Sequence, residues 1–176
     1  MKNTYKITVS AIFSALAVVI MLISYFPYLT YAVPAVAGLC IMAVLIETNY
    51  KWALFSYIVS SVLVFMFGEP ESKLMYVFLF GYYPIVKALI EKINKPIFEW
   101  ILKISVLNFA VFLVYGLLSK IFGISMDDFG DFQKYGTLIL LLLANVVFVV
   151  YDIAVSRISN VYIYKLHPKL KKVFKR

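Results

Sequence analysis

Residues 7–46 read ITVSAIFSALAVVIMLISYFPYLTYAVPAVAGLCIMAVLI, and no Asp, Glu, Lys or Arg interrupts them. A helix rises 1.5 Å per residue, so about 20 apolar residues cross the roughly 30 Å hydrocarbon core of a bilayer. The run is too long for one crossing. Pro27 and Pro34, with Tyr28 and Tyr31 between them, mark the break. The first span is therefore placed at Ile7–Phe26 and the second at about Tyr31–Ile46. The second is short and is expected to tilt little, or to begin inside the protein rather than in lipid.

Four further apolar stretches follow. They are Trp52–Gly68, Leu74–Ile90 (carrying Pro84 and Lys87), Glu99–Ile121 just after Pro96, and Gly136–Ser156. They are long and unbroken rather than alternating every second residue, which predicts helices and not barrel strands. The expected architecture is a single domain over residues 1–176: an all-α integral membrane protein of six transmembrane helices.

Composition agrees. Hydrophobic residues make up 64% of the 176 and charged residues 15%, against about 45–50% and about 25% in soluble domains. A soluble chain could not hide that much apolar surface, which excludes a soluble enzyme, a disordered chain and a disulfide-stapled module. Cys40 is the only cysteine and reads as a small buried hydrophobe. The net charge of +8 is explained by the membrane rather than by nucleic acid. Six spans put both termini on one side. If that side is the cytoplasm, it receives every Lys and Arg except Lys73, Lys120 and Lys134, as the positive-inside rule requires. The expected location is the cell membrane, crossed several times. The first 26 residues have the basic start and apolar run of a signal peptide, but the run exceeds an h-region of about 7–15 residues. Its one small-x-small site, Ala15-Leu16-Ala17, lies mid-run, so an uncleaved first span is expected. The basic tail 165–176 reads as a topology anchor attracted to anionic lipid, or as a docking arm for a partner.

Several chemistries lack their residues. No G-x-x-x-x-G-K-[ST] and no H-E-x-x-H occurs, and the single histidine, His167, cannot build a zinc site of the usual kind. No enzyme, metal or cofactor is expected. Polar side chains within the spans invite more attention, because they are costly in lipid. Asn108 and Asn145 lie near the middles of the fifth and sixth spans. Tyr115 is two turns beyond Asn108, and Asn145, Phe148 and Asp152 share a face. The amides fit either helix–helix bonding or ligand contact. Asp152 is expected to reach toward water or to pair with Arg157, Lys87 or Lys103; it is also the one candidate proton site. Tyr76, Phe78, Phe80, Tyr82 and Tyr83 precede Pro84 and form an aromatic wall. Tyr82 and Tyr83 lie too deep for an interfacial belt, so their hydroxyls need partners in the bundle or on a ligand. Pro84 is expected to free the Phe80 carbonyl. Loop 27–31 and the acidic, aromatic loop 123–135 are placed to cover an outward cavity.

The segment Ser10-Ala11-Ile12-Phe13-Ser14-Ala15-Leu16-Ala17, after a short basic start, resembles the first helix of the S components of energy-coupling factor (ECF) transporters. The resemblance implies a six-helix bundle, basic at both cytoplasmic ends, in a bacterial plasma membrane. It implies capture of a vitamin-like small molecule from outside, powered by a transmembrane coupling subunit and ATPase subunits. Ala11 and Ala15 match the family's Ala-x-x-x-Ala docking face. The implied substrate region, loop one and helices four to six, is where Tyr31, Tyr76, Tyr83, Asn108, Tyr115 and Asn145 fall, with Tyr82 beside them. Two other readings stand beside this one. They are a scaffolding protein of cell-envelope assembly, similar to rod-shape proteins in size and span count, and a proton-coupled carrier using Asp152.

Overall fold

The computed structural model describes residues 3–26, 28–122 and 133–169, with the side chains of all of these except 115–122, 133–138 and 140. The described residues are 91% helical and contain no strand. The chain begins with α1 (Asn3–Leu22), which tightens into a single turn at Ile23–Tyr25. The chain then returns as α2 (Ala32–Glu47). Pro34 lies in the first turn of α2, where a missing N–H breaks no helical hydrogen bond. The Thr48 hydroxyl donates back to the Val44 carbonyl at 2.7 Å, and Asn49 Oδ1 accepts from the Trp52 N–H at 3.2 Å. That side-chain cap starts α3 (Tyr50–Phe67).

The stretch expected as a span at Leu74–Ile90 is built in pieces. Glu69 caps α4 (Pro70–Met75), its carboxylate accepting from the Glu71 and Ser72 N–H groups at 3.2 and 2.7 Å. A widened π-type turn follows at Tyr76–Phe80, and α5 (Tyr83–Ile90) begins after it. Pro84 thus sits in a first helical turn rather than mid-helix. The Phe80 carbonyl lies against Gly38 of α2, where any Cβ would collide with that oxygen and stand 3.0 Å from the Tyr151 hydroxyl. The irregular segment is shaped by the close approach of α2 as well as by Pro84. After the turn Glu91–Ile93, Asn94 takes a left-handed φ of 53°, which asparagine tolerates well. Then come α6 (Pro96–Phe122) and α7 (Gln133–Val161), the latter running on through a π-type turn at Tyr162–Leu166. The sixth apolar stretch therefore continues helical past Ser156.

α2 is the central element. It packs on α1 and α3 at one side and on α5, α7 and the Tyr76–Phe80 turn at the other. Ala37, Gly38, Cys40, Ile41, Met42, Ala43 and Val44 are all buried, as expected of a helix apolar all round. One core cluster joins Ala17 and Met21 to Ala37, Cys40, Val64 and Tyr76. A second joins Leu79 and Tyr83 to Leu107, Ala110 and Phe148. The outer faces of α3, α6 and α7 expose large apolar residues such as Phe55, Phe112 and Val147.

Five helical segments are long and apolar enough to cross a membrane: Asn3–Tyr25, Tyr50–Phe67, Pro70–Ile93, Pro96–Val114 and Leu141–Lys169. α2 is apolar but shorter. Its central position explains how it can be short, since protein rather than lipid surrounds it. An all-helical bundle with an apolar girdle of this kind is the make-up of a membrane protein.

Candidate functional site

The densest polar group in the bundle lies where α5, α6 and α7 meet. Tyr83, Lys87 and Glu91 follow one another at i, i+4 spacing and so share a face of α5 and the turn after it. α6 presents Lys103 to that face, and α7 presents Asp152. Lys87 Nζ is 2.5 Å from Asp152 Oδ1 and 2.7 Å from Glu91 Oε1. Lys103 Nζ is 3.1 Å from Asp152 Oδ2 and 2.9 Å from Glu91 Oε1. The Tyr83 hydroxyl donates to Asp152 Oδ1. The two lysine side chains and Asp152 are only 5% exposed, whereas Glu91 is 42% exposed. Two cations thus face two carboxylates, and the charges balance. Buried ions need such pairing, because an unpaired charge in a low-dielectric interior costs several kcal/mol.

Of the partners expected for Asp152, the structure selects both lysines. Glu91 is the member of this group that the sequence does not single out. For Glu91 the only signal is its spacing from Lys87.

Above this cluster, away from the Pro96 end of α6, the Asn145 amide donates to Asn108 Oδ1 at 3.1 Å and to the Leu141 carbonyl at 2.7 Å. Among the described residues, Asn145 Oδ1 is buried without a hydrogen-bond partner. Phe148, between Asn145 and Asp152, meets the Tyr83 ring edge-on at 4.8 Å. Asn108, Asn145, Phe148, Tyr83 and Asp152 therefore form one column between α5, α6 and α7. The side chain of Tyr115 lies outside the described residues, as does loop 123–132.

The other expected site residues lie elsewhere. Tyr76 is fully buried between α2 and α3, its hydroxyl 2.8 Å from Ser60 Oγ. Tyr82 turns away from the column and meets the Tyr57 ring edge-on at 6.0 Å. Tyr31 is at the rim, donating to Glu71 Oε2 at 2.9 Å. That hydrogen bond holds the Tyr31 hydroxyl above its ordinary pKa range. Beside it, Ser72 Oγ donates to the Thr30 carbonyl at 2.9 Å. These two bonds latch loop one onto α4. Tyr28, in the same loop, has a φ of 71° and is almost wholly exposed.

At the other end of the bundle, Glu47 is completely buried and accepts from the Tyr5 hydroxyl at 2.6 Å; His167 Nδ1 lies 2.9 Å from its second oxygen. His167 is thus drawn into the base of the bundle. Among the described residues, no group of three or more His, Cys, Asp or Glu side chains is placed to hold a metal ion. On α1, Val9, Ser10, Ser14, Ala17 and Met21 are buried, while Ala11 and Ala15 face outward and are exposed.

Compared with known proteins, the chain matches no family model, no curated protein and no solved structure.

Proposed function

We propose that this protein is the substrate-binding membrane subunit of an ECF-type uptake transporter, taking a vitamin-like small molecule from outside and drawing energy from partner subunits. In this reading α2 is a sixth crossing, walled by its neighbours, and both termini are cytoplasmic. The bonds from Tyr5 and His167 to Glu47 support that arrangement, because they bring residues near both ends of the chain to one end of the bundle. The Lys and Arg distribution then makes that end the inner one.

The observation that carries the proposal is the open face of α1. Thr4, Thr8, Ala11 and Ala15 recur at spacings of four, three and four along a helix whose opposite side is packed into the bundle. Small residues at that spacing let a second helix approach closely. The column of Tyr83, Asn108 and Asn145 supports a ligand site on the outward side, and Asn145 Oδ1 offers that site an acceptor.

Native mass spectrometry of the protein extracted from cells with its partners tests this reading. Coupling and ATPase subunits, with a bound small molecule, are the expected masses. Ala11→Trp or Ala15→Trp should abolish the partners while the protein still inserts. Unchanged copurification in both variants overturns the proposal, as does capture of envelope-assembly proteins without a ligand.

A further inference from the structure

The face between α3 and α5 takes no part in the column or the docking face. Tyr50, Leu54 and Tyr57 form a stripe on α3 at i, i+4 and i+7, and Tyr82, Val86 and Leu89 repeat the spacing along the start and body of α5. Between the stripes runs a groove of about 480 Å³, within the size range of small-molecule sites. Seven residues of helix give each wall a length of about 10 Å. Aromatic residues mark both ends: Tyr57 against Tyr82 at one, and Tyr50, whose hydroxyl donates to the Ala88 carbonyl at 3.4 Å, at the other.

The walls are aliphatic and aromatic, and among the described residues the cations stand at the Tyr50 end. Lys51 lines the groove there, and Lys92 Nζ sits 4.2 Å above the Tyr50 ring, an attraction that holds its ammonium in place. The neighbouring carboxylate, Glu91, is engaged by Lys87 and Lys103, and among the described residues no ion pair holds Lys51 or Lys92. An apolar trough with two cations at one end matches an amphiphile with an acidic head. Among the described residues no Gly, Ala or Ser lines it, and small residues are those by which a partner helix packs closely.

We propose that this groove holds an anionic phospholipid, with one acyl chain between α3 and α5 and the phosphate at Lys51 and Lys92. The cytoplasmic leaflet supplies such lipids beside juxtamembrane lysines.

The test uses the full-length protein equilibrated in vesicles of equal phosphatidylglycerol and phosphatidylcholine, extracted gently and weighed by native mass spectrometry. One retained phosphatidylglycerol, in preference to phosphatidylcholine, is expected. Lys51→Gln and Lys92→Gln should each weaken its retention about fivefold, and the double variant should lose the headgroup preference. Val86→Trp should fill the groove and expel the lipid. Leu54→Trp, at an exposed wall position, should do the same. Equal retention of both lipids by the unaltered protein overturns the proposal. So does unchanged phosphatidylglycerol in the lysine variants or in Leu54→Trp, or a second protein chain cross-linked at Leu54 in place of lipid.

Discussion

Removing the carboxylate of Asp152 should destabilise the bundle more than any other single polar change described above. Asp152→Asn keeps the shape and an acceptor for Tyr83, but leaves Lys87 and Lys103 with Glu91 as their only counter-charge. At an effective dielectric near 20, unit charges at 2.5 and 3.1 Å attract by roughly 12 kcal/mol in total. Desolvation of the ions opposes most of that. Cases in which one partner of a buried pair is removed centre on about 3–5 kcal/mol. Glu91 still sits 2.7 and 2.9 Å from the two lysines, so the lower end, about 3 kcal/mol, is the expected cost. Equilibrium unfolding in mixed detergent, followed by tryptophan fluorescence, measures it. Trp100 is a suitable reporter, since Lys103 Nζ lies 5.5 Å above its ring. The paired variant Lys87→Met with Asp152→Asn leaves Lys103 facing Glu91, restores neutrality and keeps an acceptor for Tyr83. It should recover most of the loss, giving a coupling energy of about 2 kcal/mol, within the range for residues in direct contact. A cost below about 1 kcal/mol for Asp152→Asn, or a double variant no better than the single one, would refute charge balance as what holds α5, α6 and α7 together.

Other regions give further expectations. Gly38→Ala pushes a methyl group into the Phe80 carbonyl and should cost about 1–3 kcal/mol as an overpacked contact, read as a lowered unfolding midpoint. Glu47→Gln weakens the bonds to Tyr5 and His167 and should cost about 1.5–3 kcal/mol, the range for hydrogen bonds to a charged group; proteolysis should then cut sooner near residue 167. Tyr31→Phe removes the bond to Glu71 and should speed amide hydrogen exchange at Leu29–Val33 while leaving α7 unchanged. Equal exchange in both proteins would show that the Tyr31 hydroxyl does not hold the loop.

The helical, membrane-crossing character is legible in residues 7–46 and the five apolar helical segments, because a bilayer imposes length and apolarity residue by residue. α2 shows the limit of that reading. Its sequence records apolarity and shortness, while its place at the centre depends on the elements that pack around it. The segment 74–90 shows another. Pro84 marks an interruption, but the widened turn at Tyr76–Phe80 also depends on Gly38, far away in sequence, admitting the Phe80 carbonyl.

The candidate site divides the same way. From sequence alone, Asp152 has three cations within plausible reach, and Asn108 and Asn145 are merely two amides at similar depth. Rotation of α5, α6 and α7 about their axes decides that Asp152 meets both lysines and that the amides bond to each other. Tyr82 and Tyr83 make the point at its sharpest. Side chains one residue apart on a helix point about 100° away from each other, so only one of them can enter the column. Residue type determined that this chain would bury aromatic and charged groups in an apolar bundle; the tertiary packing alone decided that Tyr83 turns inward to Asp152 and Tyr82 outward to the groove, since that depends on where the other helices stand.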